Sequence, residues 1–277
     1  MNVLITGASG GLGRAFAVEC AKRGYNLFLT DINTAGLNAI KWGVLRQYPE
    51  SSIEVKECDL TNDGDVRNLL DFAAEKQICF DMLLNVAGVD FEGGFMDRDS
   101  NQMLKIVRLN VEATLRITHE ILARRSLDKK FFLVFVSSLA SLYPMPLKAT
   151  YAASKRFLLD FSIALGEELK LQNVSVLSLC PGGLPTTEGA ICGIAAQGFW
   201  GDATTNRLEV VAAMTISKVL QGKKIYIPGA TNKIFSLLGK FIPNTLIAKL
   251  LYNRWSRAQS HWLSVKPEDT GVNIVSP

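Results

Sequence analysis

Val3-Leu4-Ile5-Thr6-Gly7-Ala8-Ser9-Gly10-Gly11-Leu12-Gly13 stands near the start of the chain. Val3-Leu4-Ile5 has the unbroken apolar character of a short buried strand. The next eight residues carry four glycines, and Arg14 to Arg23 has a helical pattern. Strand, glycine turn and helix in that order hold a pyrophosphate on the N-terminus of the helix. Glycine permits positive φ and lets the backbone come close to a ligand. The spacing here is T-G-x-x-x-G-x-G, not the G-x-G-x-x-G of the dinucleotide fingerprint.

The same alternation continues along the chain. A second strand over Asn26 to Thr30 ends in Asp31, which lies 24 residues after Gly7. A carboxylate at that distance binds ribose hydroxyls in NAD sites and repels the extra phosphate of NADP. Asp31 is also placed to cap a helix over Leu37 to Tyr48. Ile53 to Cys58 reads as a third strand, closed by Asp59 and Leu60, with Thr61 as cap of a helix through Phe72. Asp81 to Leu84 reads as a fourth strand, followed by Asn85-Val86-Ala87-Gly88. A long helix is predicted from Gln102 to Arg125, with Asn110 inside it at a modest propensity cost. Strands over Phe131 to Val136 and Val174 to Leu179 flank a helix from Tyr151 to Lys170. Near-continuous apolar strands alternating with helices predict an α/β fold, a Rossmann-like doubly wound parallel sheet.

The chemistry concentrates between Ser137 and Lys155. Tyr151 and Lys155 are four residues apart, so they share one helix face. Ser138 follows the fifth strand, whose end sets a hydroxyl beside that helix. A free phenol has a pKa of about 10, and a neighbouring cation lowers it. Lys155 supplies the cation, and Ser138 a hydrogen bond to a substrate oxygen. Each of the three alone also reads as an ordinary strand-end serine, helix-start tyrosine and surface lysine.

Composition bounds the rest. The chain has 277 residues, 48% of them apolar, enough for one large α/β domain. A net charge of +4 with dispersed basic residues does not suggest a nucleic-acid partner, and Lys129 and Lys130 read as solvated residues before a strand. Cys20, Cys58, Cys79, Cys180 and Cys192 are scattered, with no C-x-x-C, and read as free thiols of a reducing, cytoplasmic setting. His119 and His261 make no metal site of ordinary spacing. An apolar strand from Asn2 leaves no room for a signal peptide.

With these residues in view, the chain resembles the short-chain dehydrogenase/reductase family, in its compact ketone- and alcohol-converting branch. Thr6-Gly7, Gly11 and Gly13 match its cofactor turn, and Asp59 matches an acidic residue facing the adenine. Asn85, Ala87 and Gly88 match its N-N-A-G motif, with Val86 in place of the second Asn. Asn110, Ser138, Tyr151 and Lys155 match its catalytic tetrad, including the thirteen-residue step from serine to tyrosine. Pro181, Gly182 and Thr186 match a P-G-x-x-x-T segment flanking the nicotinamide. The resemblance covers about residues 1 to 187. It implies NAD, with NADP possible, bound by Gly7, Ser9, Gly10, Gly11, Leu12, Gly13, Asp31, Asp59, Leu60, Asn85, Ala87, Gly88, Tyr151, Lys155, Pro181, Gly182 and Thr186. It implies hydride exchange between nicotinamide and a substrate carbon, with Tyr151 as general acid and base. Lys155 lowers the tyrosine pKa and bonds the nicotinamide ribose, Ser138 polarises the substrate oxygen, and Asn110 holds a water linking Lys155 to solvent. It also implies a homodimer through the two long helices.

Beyond Thr187 the resemblance thins. Residues 188–203 are expected as a mobile loop over the substrate, bearing Ile191, Ile194, Phe199 and Trp200. A helix over Leu208 to Leu220 and a last strand over Lys224 to Ile227 complete a catalytic domain of residues 1–229, and residues 230–277 form a helical extension and tail. Ile234, Leu237, Leu238 and Phe241 fall on one helix face, Pro243 breaks it, and Ile247, Leu250 and Leu251 make a second stripe. Charged residues and Pro243 argue against a membrane span. A helical hairpin over 231–252 is expected to wall an apolar pocket opposite Ile191, Phe199 and Trp200. The substrate then reads as a small molecule: a bulky, hydrophobic secondary alcohol or ketone, steroid-like or acyl. A dinucleotide-sensing regulator and a membrane-surface reductase are the two alternatives.

Overall fold

The structure is a computed structural model that describes residues 1–239 and 241–264, without the side chains of Trp200 and of 258–264. The expected tail and the expected role of the Trp200 side chain therefore lie outside the described residues. Chain order begins β1 (Asn2–Thr6), α1 (Gly11–Lys22), β2 (Asn26–Asp31), α2 (Thr34–Gln47), β3 (Ile53–Glu57), α3 (Asp63–Glu75) and β4 (Met82–Asn85). It continues with α4 (Ser100–Val107), α5 (Thr114–Ala123), β5 (Phe131–Val136), α6 (Ala149–Glu168) and β6 (Val174–Leu179). The last third holds α7 (Glu188–Ala196), α8 (Phe199–Thr204), α9 (Leu208–Leu220), β7 (Ile225–Tyr226), α10 (Ala230–Leu238) and α11 (Asn244–Ser264).

Among the described residues the strands form one seven-stranded parallel sheet in the order β3-β2-β1-β4-β5-β6-β7. The order reverses between β1 and β4, and such a switch point opens a crevice at the carboxyl ends of the strands. Val3, Leu4 and Ile5 of β1 are fully buried because helices cover both faces of the sheet. On one face α1 lays Phe16, Ala17 and Cys20 against Ile5, Leu29 and Leu84. On the other, Leu69, Ile117 and Leu158 from α3, α5 and α6 pack on Leu4, Leu83 and Phe135.

Several local expectations shift. Asn62, not Thr61, caps α3, accepting from the Gly64 and Asp65 N–H groups at 2.8 and 3.2 Å. Thr61 instead donates its hydroxyl to Asp59 at 2.7 Å. Asn33, not Asp31, caps α2 through the Gly36 N–H. The helix expected over Gln102 to Arg125 is two helices, α4 and α5, joined by a π-helical turn over Arg108–Ala113. Such turns sit inside helices and frequently mark functional sites. Residues 188–203, expected as a loop, are largely helical in α7 and α8, with Thr187 capping α7 through the Ala190 N–H. All five cysteines are free.

Candidate active site

The glycine turn joins β1 to α1 under steric constraints that only glycine meets. Gly7 has φ +64°, and a Cβ there would stand 2.7 Å from the Ala87 backbone. A Cβ on Gly13 would stand 2.2 Å from the Gly7 carbonyl oxygen, so α1 packs directly on the turn. Gly10 is the N-cap of α1 and offers no side chain to the first-turn N–H groups. A helix start left open in this way suits a phosphate. Thr6 Oγ1 accepts from the Val86 and Ala87 N–H groups at 3.1 and 3.3 Å, which ties the turn to the end of β4. The substitution at Val86 thus keeps its backbone bond.

Asp31 closes the turn from the neighbouring strand. Its carboxylate accepts from the Ser9 N–H at 3.0 Å and from the Asn33 N–H at 3.1 Å. Asp59, at the end of β3, is exposed and accepts from the N–H and hydroxyl of Thr61, while Leu60 beside it is buried. Asn85 is buried at the end of β4. Its amide donates to Thr118 Oγ1 at 2.9 Å, and its Oδ1 has no protein partner. These residues line up along the carboxyl edge of the sheet, from β3 through β2 and β1 to β4, and they fit an extended dinucleotide.

Ser138, Tyr151 and Lys155 meet in one cleft of about 1040 Å³, together with Leu12, Gly88, Pro181, Gly182 and Thr186. A Cβ on Gly11 would stand 2.9 Å from Thr186 Cα, so the Pro181–Thr186 segment lies directly on the glycine turn. Beyond β5, Ser138 keeps an extended backbone and caps a short 3-10 turn over Leu139–Leu142, its hydroxyl accepting from the Ala140 N–H at 3.1 Å. The Leu139 N–H donates to the Pro181 carbonyl at 2.7 Å, which joins the serine strand-end to the segment beside it.

Lys155 is 4% exposed and donates to the Val136 carbonyl at 2.8 Å. Its ammonium lies 5.7 Å from the centre of the Tyr151 ring. Burial pushes the Lys155 pKa down to about 8, against the pull of Asp90 in the other direction. The Tyr151 phenol moves opposite to expectation. Removal from water pushes it up to about 12, Asp90 adds to the rise, and Lys148 and the Ser138 hydrogen bond oppose it. Desolvation of the phenolate outweighs the pull of the Lys148 cation.

Asn110 is fully buried within the π-helical turn. Its Oδ1 accepts from the Val89 N–H at 2.9 Å, and its amide donates to the Val89 carbonyl at 3.0 Å and to Ser154 Oγ at 3.2 Å. Its side chain thus ties the π-helical turn to the segment beyond β4 at Val89 and to α6 at Ser154. A Cβ on Gly88 would meet both Asn110 Oδ1 and Lys155 Nζ, at 3.1 and 3.2 Å, so the three residues converge.

The sequence reading missed a half-buried charge cluster in the same cleft. Lys148 Nζ pairs with Asp90 Oδ2 at 2.7 Å and with Glu92, and lies 5.7 Å from the Tyr151 ring centre and 5.2 Å from that of Trp255. Lys148 stands three residues before Tyr151 and seven before Lys155, a one-face spacing legible in the sequence. No local pattern ties it to Asp90, which lies 58 residues away.

The far wall of the cleft comes from the C-terminal helices. Leu238, Ile242, Ile247, Leu250 and Trp255 line it, facing Ile194 of α7. The Tyr143 hydroxyl donates to the Phe235 carbonyl, which anchors α10 to the turn beyond Ser138. Two expected residues point elsewhere: Ile191 is 53% and Phe199 75% exposed, and neither lines the cleft. The helical form of this segment presents Ile194 inward in their place.

Comparison with known proteins places this geometry. Residues 1–190 match the short chain dehydrogenase family. The very-long-chain 3-oxoacyl-CoA reductase of Laccaria bicolor is 32% identical over 179 residues, 62% of this chain and 52% of the relative. The chain spans about half the length of the curated relatives it matches. A solved 7beta-hydroxysteroid dehydrogenase aligns with a TM-score of 0.79 at 21% identity, over 90% of this chain and 96% of that one. The bulky-bulky ketone specific alcohol dehydrogenase from Comamonas testosteroni aligns with a TM-score of 0.71 at 20% identity, over 100% of this chain and 98% of that one. At these identities the two structures show the shared fold.

Proposed function

Because the chain belongs to the short-chain dehydrogenase family, a family of NAD(P)-linked oxidoreductases, we propose that it reduces a bulky, hydrophobic ketone to a secondary alcohol. The observation that carries this reading is one cleft with Ser138, Tyr151 and Lys155 on one side and Leu238, Ile242, Ile247 and Leu250 on the other. The first set suits a carbonyl oxygen, and the second an apolar body. Apolar walls with a few convergent polar groups are the usual make-up of a small-molecule site.

A bound reduced dinucleotide supplies the hydride that becomes the new C–H bond. Tyr151 gives its phenolic proton to the carbonyl oxygen, so the alcohol forms as hydride and proton arrive at adjacent atoms. A phenol at about 12 holds its proton at neutral pH, which suits reduction. The proton must still leave readily, and the ammoniums of Lys155 and Lys148 on the ring's surroundings stabilise the phenolate that remains. Ser138 donates to the same oxygen and stabilises its developing charge. Lys155 is placed to bond the nicotinamide ribose as well.

The substrate class follows from the apolar wall and from the relatives named for 3-oxoacyl reduction: a long acyl or steroid-like ketone in preference to a sugar. Asp31 at the end of β2 favours NAD(H), since a carboxylate there repels the additional phosphate of NADP(H). The test is a panel of ketones with either reduced cofactor, followed by nicotinamide absorbance. Turnover of long-chain 3-oxoacyl thioesters or steroid ketones above that of sugars is the expected result. A preference for keto-sugars, or no oxidation of either cofactor across the panel, overturns the reading.

A further inference from the structure

The helices that wall the cleft also turn an apolar face outward. Ile234, Leu237 and Phe241 are 57%, 56% and 80% exposed and do not line the cleft. Leu238, Ile242 and Leu250 do line it and are themselves exposed, so they form its rim. With Leu246, seven large apolar residues between 234 and 250 meet solvent on two consecutive helices and the turn that joins them. A single exposed leucine is ordinary, but a cluster of this kind marks an interaction surface.

Charge narrows the choice of occupant. Residues 230–257 contain no Asp or Glu, while Lys233 and Lys249 are exposed cations on the same two helices. A second copy of the chain would set these cations against their own images, and it would close the rim. A basic and apolar face with an open cleft at its centre matches an anionic lipid surface. No described helix is long and apolar enough to cross a membrane.

We propose that α10 and α11 lie in the headgroup layer of an anionic bilayer, with the mouth of the cleft opening onto it. That an apolar ketone then enters the cleft from the lipid rests on the ketone-reductase reading above; the docking does not. The test is flotation of the full chain with vesicles of phosphatidylcholine alone or mixed with phosphatidylglycerol. The expected result is binding to the mixed vesicles, weakened by salt, and little binding to phosphatidylcholine. A Leu237→Ser/Phe241→Ser variant and a Lys233→Glu/Lys249→Glu variant should each lose at least about tenfold in vesicle binding. Both should keep the wild-type circular dichroism spectrum and melting temperature, which shows that they are folded. The proposal is overturned by absence of flotation with the anionic vesicles, or by both variants floating like wild type. It is equally overturned by a dimer that the Leu237→Ser/Phe241→Ser variant disperses, which would make the face a contact between copies. Flotation reads no turnover, so a protein that docks but reduces no ketone sinks only the enzymatic reading.

Discussion

Replacing Asn110 with leucine removes every polar contact of one buried side chain while keeping its size. The Val89 N–H and carbonyl lose their partners at 2.9 and 3.0 Å, and Ser154 Oγ loses a donor at 3.2 Å. An orphaned buried backbone group costs about 1–3 kcal/mol. Val89 is half-buried, so water recovers part of this, and two groups at the lower end of that range give about 2–3 kcal/mol. For a chain of this size that corresponds to roughly 4–10 °C in Tm. Ser154→Ala is the internal control. It loses the same contact to Asn110 and its own bond to the Tyr151 carbonyl at 2.7 Å, but leaves Val89 paired. Scanning calorimetry of the two variants should therefore rank Asn110→Leu well below Ser154→Ala. Turnover should fall as well, since Val89 stands between Gly88, beside Lys155, and Asp90, which holds Lys148. An Asn110→Leu protein that melts with the wild type and turns over at its rate would refute the clamp.

Four further outcomes follow from the site. Tyr151→Phe keeps the ring and removes the proton donor, and should cut turnover at least about a hundredfold with cofactor affinity unchanged in fluorescence titration; near-full turnover would sink the mechanism. The same titration should show NADH bound more tightly than NADPH, with Asp31→Ala narrowing the gap, and tighter NADPH binding to the wild type refutes the role given to Asp31. Lys155 releases its proton at about 8 when folded against 10.5 ordinarily, so between those values the unfolded chain holds a proton that the folded chain lacks. Stability should then climb from pH 8 towards 10 relative to Lys155→Met, and parallel stability curves for the two proteins would contradict the buried ammonium. Light scattering at micromolar concentration should give a dimer mass, formed through the helices around Asn110 and after Tyr151, and a monomer mass rules it out.

What the sequence determined alone is local. Val3-Leu4-Ile5 must be a buried strand because no polar atom interrupts it, and four glycines in the eight residues that follow mark a tight turn before α1. The four-residue step from Tyr151 to Lys155 sets both on one face of α6 before any tertiary contact exists. The parallel sheet follows from repeating that strand–helix pattern. What only the tertiary structure decided involves parts of the chain distant from each other. The π-helical turn at Asn110 was invisible because Val89, its partner, lies 21 residues away. Lys148 gained its role from Asp90 and Glu92, which no periodicity connects to it. The C-terminal stripes were legible as helix faces, yet which residue turned inward depended on packing. Ile194, not Ile191, faces the cleft, and Phe235 is bound through its backbone to Tyr143. The direction of the Tyr151 pKa is the clearest case. Spacing sets Lys155 on the face of Tyr151, but desolvation and the carboxylates of Asp90 and Glu92 are properties of the assembled cleft, and together they raise the phenol against the pull of Lys148 and Ser138.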